Sequence, residues 1–529
     1  MKKLGKYLDE RSLPRLGVLL CFSAVFMLFA SPYTTPLNAY YGYDSAVFMS
    51  FGKGITHGLR LYLDLYDNKG PMIFYFNALG YLLGGRMGLW ILQVVFMTFA
   101  FELSYRTARL FTGRGTACLS VLVLLFLYCG TVGEGNMTEE WSLVFSLLPL
   151  WLSLRFIKTG APAYRHPKWY SVIYGVCFGV NFMMRATNAA IVCGVLLAFA
   201  VLLCREKKFG ALLLHILLVL CGAALVVGPF ALYFARIGAF DRFMYASFLH
   251  NFHYAAGGAA AKTAKDWLMY FARVSMVPVV IYLAVRQMKK GALPLGSALV
   301  LIFSCVFGAA VAVLGYSYKH YFLILTPALV PGFAVCAEGV RSMAAGKKAA
   351  ERLCAAVLVF CLLPYAPQAA VHAGKSILFN FCGYLDSEKE AMSEIRACID
   401  ADPGEVLAYD MRANVYLYLD VDPCFCHAMT QDWMSQDSPF IAKELDEYLR
   451  ETPPKWIVSD ASENMRERLE NTYGYTLFRV WDKGGCPALY LHELVRQRFT
   501  HILQRRGNGF YTLNVEYSPT RTSGSFSYL

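Results

Sequence analysis

The segment Leu61-Tyr62-Leu63-Asp64-Leu65-Tyr66-Asp67-Asn68-Lys69-Gly70-Pro71 gathers two carboxylates, an amide and an ammonium, and Asp44 precedes it on the same polar stretch. Pro71 suits the first position of a helix, because its fixed φ is already helical and its missing N–H is not needed there. Lys69 then stands beside a helix N-terminus, whose free N–H groups and partial positive charge favour an anion. A phosphate at that point would meet a lysine charge together with aligned backbone donors. Asp44 offers the complementary chemistry, since a carboxylate beside an anion site can take a proton from an incoming hydroxyl. A base on the nucleophile and cations on a departing phosphate are the two requirements of inverting glycosyl transfer. Simpler roles exist for the same residues. Lys69 can snorkel at a membrane interface, and Asp44 can cap a helix starting at Ser45, which is compatible with a base.

The elements that carry these residues are set by composition. Of 529 residues, 57% are hydrophobic and 16% charged, against roughly a quarter charged in soluble domains. Apolar runs of about twenty residues, enough to cross roughly 30 Å of hydrocarbon, recur along the chain. They make it a polytopic α-helical membrane protein, with spans expected near 16–31, 86–105, 115–132, 140–157, 169–184, 187–204, 210–234, 267–286, 294–314, 321–340 and 352–368. The net charge of +12 does not mark a nucleic-acid surface, because the cations fall between the spans. With cations placed inside, the N-terminus is cytoplasmic and the C-terminal region extracytoplasmic. The first span follows Lys2, Lys3, Lys6, Arg11 and Arg15 but lacks a small-residue cleavage site after it, so it reads as a retained anchor. Residues 71–84 are apolar and aromatic but too short to cross, and are expected to lie on the outer surface, as is a helix over Ser45 to His57.

Charged residues return from Asp386. Helices are expected over 386–399, 441–451 and 464–472, and strands over 405–410, 414–420, 455–460, 476–482 and 488–492. The expected organisation is a membrane domain over 1–370, a small α/β domain over 371–500 and a disordered tail over 501–529.

On this topology the outward turns hold nearly all the suspicious polar groups. Besides the first loop they are Asn136, Glu139 and Glu140; Arg185 and Asn188; His250, Asn251 and His253; and Tyr316, Tyr318, Lys319 and His320. The inward turns hold unpatterned Lys and Arg. Arg185 is the expected second cation, its planar fork matching phosphate oxygens. Glu102 and His215, inside spans, read as packing residues. Cys424-Phe425-Cys426 is a weak metal signal without partner histidines, and disulfides among Cys382, Cys398, Cys424, Cys426 and Cys486 are left open.

Asp44 after the first span, the Leu61–Pro71 segment, Asn136-Met137-Thr138-Glu139, Met184-Arg185-Ala186-Thr187-Asn188, and Tyr318-Lys319-His320-Tyr321-Phe322 with Pro327 together resemble bacterial members of the GT-C glycosyltransferase superfamily. The resemblance is to the protein O-mannosyltransferase and aminoarabinose-lipid A transferase type, over roughly residues 15–340. It implies juxtamembrane helices over a bundle of spans, a polyprenyl-phosphate-linked sugar as donor, and a cell-envelope glycan, lipid or protein as acceptor. It further implies Asp44 as catalytic base and Lys69 and Arg185 as phosphate ligands. Asp64, Asp67, Glu139, Asn188, Tyr316, His320 and Tyr321 would line the donor and acceptor cavity. Asn68 stands where these transferases carry an acidic residue, which weakens any claim for a divalent ion. Gly70 replaces a common proline, a change expected only to loosen the turn.

Sidedness fits a lipid donor independently, since charged cytosolic nucleotide sugars do not reach an outer site. A flippase of lipid-linked glycan is the rival from another class. Transporters favour broken helices and ionisable groups at the midplane, whereas these spans are nearly free of charge there. A ligase of lipid-linked oligosaccharide usually needs a large outer loop with paired arginines; the 235–266 loop holds only Arg236 and Arg242.

Overall fold

The long apolar runs all fold as helices in the computed structural model of the chain. It describes residues 12–251, 262–313, 318–343, 348–428, 439–460, 462–481 and 487–492. The chain divides into two compact units, Met1–Leu385 with Phe425–Ala428, and Asp386–Cys424 with Met429–Leu529.

In the first unit, α1 (Ser12–Ala30) is followed by two helices standing between spans, α2 (Asp44–Thr56) and α3 (Pro71–Leu82). Then come α4 (Gly85–Arg109), α5 (Arg114–Cys129), α6 (Thr138–Ile157), α7 (Lys168–Met184), α8 (Ala190–Arg205) and α9 (Phe209–Arg236). After the short α10 (Phe240–Met244) follow α11 (Ala264–Arg273), α12 (Met276–Lys289), α13 (Leu295–Val313), α14 (Thr326–Met343), α15 (Lys348–Leu362) and α16 (Ala366–Phe381). Among the described residues, eight segments are long and apolar enough to cross a membrane, and Pro14–Ala30 and Arg114–Cys129 are apolar but shorter. The chain is a multi-pass membrane protein. Its last span reaches beyond the expected 352–368: Pro364 and Pro367 interrupt the helix at Leu363–Tyr365, and the apolar segment runs on over Ala355–Phe381.

Helix α9 buries only His215, Gly222 and Phe234, while Leu213, Leu217, Leu220 and Leu225 stand exposed. An exposed leucine face of this kind is what a lipid-facing helix requires. The His215 ring meets the Ser171 hydroxyl at 2.8 Å, a packing contact with α7. Glu102, also expected as a packing residue, accepts from Arg15 at 2.6 Å and Arg106 at 2.5 Å. These two cations and Arg341, which reaches Thr116 at 2.9 Å, all belong to the expected inward turns. Polar residues from turns assigned to one side thus find one another.

In the second unit a four-stranded sheet has the order β1 (Val406–Ala408), β2 (Trp456–Asp460), β4 (Pro487–His492), β3 (Tyr475–Val480). β1 and β2 are parallel, and the other pairs antiparallel. Helices α17 (Asp386–Ala401), α19 (Pro439–Glu451) and α20 (Glu463–Tyr473) accompany it. Residues 414–420, expected as a strand, instead form helix α18 (Asn414–Leu419), closed by Asp420 in the left-handed region at φ 57°. The expected tail over 501–529 and Cys486 lie outside the described residues. No disulfide joins the described cysteines.

Candidate active site

The Leu61–Pro71 segment is tied down at both ends before it presents any charge. Asp64 accepts from the Arg60 backbone N–H and Nε, both at 2.8 Å, and from Nη2 at 2.9 Å. The Arg60 guanidinium holds the Asp64 carboxyl below the usual carboxylate range. Asp64 therefore closes a tight loop with Arg60. Tyr62, fully buried and at φ 66°, donates its hydroxyl to the Lys69 carbonyl at 2.8 Å and meets Ser247 at 3.0 Å. Asn251, from the fourth outward turn, donates to the Asn68 carbonyl at 2.8 Å. The tyrosine and the first aspartate thus shape the loop that delivers Lys69.

Asp67 accepts the Lys69 backbone N–H at 2.8 Å and lies 3.7 Å from its ammonium. Asn68 accepts from the same ammonium at 2.8 Å. Burial pulls the Lys69 ammonium down, but the charges of Asp67 and Asp44 outweigh it, and its pKa ends above the ordinary lysine value. Gly70 is the N-cap of α3, with Pro71 behind it as expected. A Cβ on Gly70 would fall 2.0 Å from the Met183 carbonyl oxygen. Glycine here allows the loop to lie against the end of α7, and does not merely loosen the turn.

That contact sets Lys69 beside the short break between α7 and α8. Arg185 is extended at φ −165°. It donates to Glu139 at 3.1 Å and to the Tyr321 hydroxyl at 2.7 Å, with its guanidinium 4.0 Å from the centre of the Tyr321 ring. The Glu139 side chain is 1% exposed, and its second oxygen has no hydrogen-bond partner among the described residues. Asn188 donates to Ser142 at 2.8 Å and leaves its own Oδ1 without a partner. His320 stacks on Tyr318 and meets Tyr321 edge-on. It lies within electrostatic reach of Glu139, Asp44, Arg185 and Lys69.

Asp44 is the first helical residue of α2, and Tyr43 is the N-cap, with no side-chain cap. The simpler role considered for Asp44, as N-cap, is therefore not the one it plays. Its carboxylate makes no hydrogen bond or ion pair among the described residues. Glu140 is a structural residue, accepting from Gln93 at 2.9 Å, Tyr128 at 2.8 Å and the Asn136 N–H at 2.8 Å. Tyr316 and His253 lie outside the described residues. Sequence reasoning passed over Glu134, which meets the start of α2; its only signal is a carboxylate between Gly133 and Gly135.

The structure therefore brings together Asp44, Lys69, Glu139, Arg185, His320 and Tyr321, with Asp67 and Asn188 alongside, and leaves Asp64 out. Within this unit no three carboxylate, imidazole or thiol groups converge on one point, among the described residues. Glu139 and Asp67 each give one oxygen to a cation, Arg185 and Lys69. No cofactor is established.

A helical bundle with two interposed helices is the fold that the sequence resemblance implied. Residues 68–233 match the sequence model of the family described as dolichyl-phosphate-mannose-protein mannosyltransferase. No curated protein matches the chain. Among solved structures it is similar to ArnT from Cupriavidus metallidurans bound to undecaprenyl phosphate, with a TM-score of 0.56 and 14% identity, covering 89% of this chain and 97% of that one. The apo state of the same protein gives a TM-score of 0.53 and 13% identity, covering 90% and 98%. The apo oligosaccharyltransferase of Archaeoglobus fulgidus gives 0.51 and 12%, covering 86% and 70%. At these identities the solved structures establish the shared fold.

Proposed function

We propose that the chain is an inverting glycosyltransferase that moves a sugar from a polyprenyl-phosphate donor to a cell-envelope acceptor at the outer face of the membrane. One observation carries the reading. Two cations from separate loops, Lys69 and Arg185, are set side by side by the Gly70 contact, with Asp44, a carboxylate that has no hydrogen-bond or ion-pair partner among the described residues, in electrostatic reach of Lys69. Lys69 and Arg185 hold the donor phosphate. Asp44 takes the proton of the acceptor hydroxyl as its oxygen attacks the anomeric carbon. The bond from that carbon to the phosphate oxygen breaks, and its electron pair leaves with the lipid phosphate, whose growing charge the two cations stabilise. A single displacement inverts the anomeric centre.

The unpartnered acceptors on Glu139 and Asn188 suit sugar hydroxyls, which can donate to them. The match of residues 68–233 to the mannosyltransferase family and the undecaprenyl phosphate bound by ArnT support a lipid-phosphate donor.

The test is the mass of envelope glycans from cells that lack the protein, supplied with wild type or Asp44→Asn. The variant should abolish transfer while purified protein still binds undecaprenyl phosphate. Full transfer by Asp44→Asn would remove Asp44 as the base. Normal transfer with altered sidedness of a lipid-linked glycan would point to a flippase.

A further inference from the structure

Helix α2 starts without a cap of its own, and the acceptor it lacks comes from a distant loop. Glu134 Oε2 accepts the Tyr43 N–H at 3.0 Å. This N–H belongs to the residue immediately before Asp44. The approach depends on Gly42, where a Cβ would lie 2.6 Å from Glu134 Oε2. Capping from outside matters because Asp44 is the residue otherwise placed to satisfy the helix start. With Glu134 in that role, the Asp44 carboxylate is released from the backbone.

We propose that Glu134 is a positioning residue for Asp44, gripping the backbone immediately before it so that the carboxylate is held free and directed at the acceptor hydroxyl. This rests on the reading of Asp44 as the base. Glu134 itself touches neither donor nor acceptor.

The grip has a pH dependence of its own. Burial raises the Glu134 carboxyl, the charge of Asp44 adds to this, and it titrates at about 7. The charged groups facing it are Asp44 from α2 and the Lys375 ammonium from α16. An ionised carboxylate accepts at both oxygens, whereas the protonated acid turns one of them into a donor. The grip therefore tightens as pH rises through about 7.

The experiment compares wild type, Glu134→Ala, Glu134→Gln and Asp44→Asn in cells lacking the native copy, at equal membrane abundance. The initial rate of envelope-glycan transfer is followed at medium pH from about 6 to 8, the range in which Glu134 changes charge. Undecaprenyl phosphate is the probe for binding to purified full-length protein. Glu134→Ala should cut the rate roughly tenfold, with lipid-phosphate binding within about twofold of wild type. Glu134→Gln keeps one acceptor and should recover most of that rate. Because it cannot ionise, its rate relative to wild type should fall as pH rises. A constant ratio of Gln variant to wild type across this range overturns the proposal, and so does an Ala variant that folds and transfers at the wild-type rate. If Asp44→Asn transfers normally, the assignment of the base has failed instead. If Asp44→Asn is dead and the Glu134 variants behave as wild type, only the positioning role has failed.

Discussion

The Gly70 N–H donates to the Met184 carbonyl at 3.1 Å, and this bond joins the loop that carries Lys69 to the turn that carries Arg185. The two cations are 116 positions apart in a chain whose spans are mostly uncharged, and neither loop alone makes an anion site. Their meeting depends on the absence of a side chain at position 70, because Met183 backbone atoms occupy the place a Cβ would take.

Gly70→Ala should therefore disturb function more than its size suggests. The φ of Gly70 is −66°, open to any residue, so the effect is purely steric. The loop must retreat from α7 by about 1 Å, enough to cost transfer on the order of a hundredfold. The accompanying loss of stability should be about 1–3 kcal/mol. Transfer rate and thermal unfolding of the purified protein, measured side by side, separate the two effects. A variant with wild-type transfer would show that the loop contact does not place Lys69.

Arg185→Lys keeps the charge and loses the fork. Arginine donates at once to Glu139 and Tyr321 while its plane lies on the tyrosine ring. An ammonium cannot meet that geometry, and Glu139, 1% exposed, would lose a charge-assisted partner. The expected penalty is about 1.5–3 kcal/mol, or roughly ten- to a hundredfold in transfer. Kinetics of transfer at fixed pH, with undecaprenyl phosphate binding as a second readout, check it.

Asn136 is buried, stands at φ 58°, donates to Asn77 at 2.8 Å and accepts from Trp141 at 2.9 Å. It ties α3 to the start of α6, and so helps hold the loop of Lys69 to the helix of Glu139. Asn136→Ala should lower stability by about 3 kcal/mol, combining stranded buried partners with backbone strain. Asn136→Gly loses the same hydrogen bonds but keeps the left-handed backbone. It should therefore unfold at the higher temperature of the two, and equal unfolding temperatures would mean that backbone strain is not involved.

The apolar spans were legible because length and composition alone mark a segment that can cross hydrocarbon. The starts of α2 and α3 were legible too, the second from Pro71. What sequence did not disclose is which partner each polar residue takes. Asp64 looked like a site residue, but Arg60, four positions before it, claims both its oxygens. Glu134 drew no notice because its partner, the N–H of Tyr43, belongs to a helix start more than eighty positions away. In the second unit, the apolar Val415-Tyr416-Leu417-Tyr418-Leu419 fits a buried strand as well as a short buried helix, and five residues are too few for periodicity to decide.

Asp67→Asn tests how Lys69 keeps its charge. In the wild type, burial opposes the ammonium, while Asp67 and Asp44 raise its pKa above the ordinary 10.5. A base raised in this way contributes stability that is complete below its unfolded pKa and is lost only as pH climbs through the folded value. Lys69 should thus stay charged throughout neutral and mildly alkaline conditions, and binding of undecaprenyl phosphate should be flat from about pH 6 to 9 as far as this group is concerned. Asparagine retains an oxygen for the Lys69 backbone N–H, so the turn survives while the compensating charge is gone. Burial and the Arg185 charge then act against Asp44 and Tyr321, without Asp67, and the ammonium gives up its proton at lower pH. Binding by the variant should match wild type near neutrality and weaken several-fold toward pH 9. A variant whose binding stays as flat as wild type over that range would mean that Asp67 only shapes the loop.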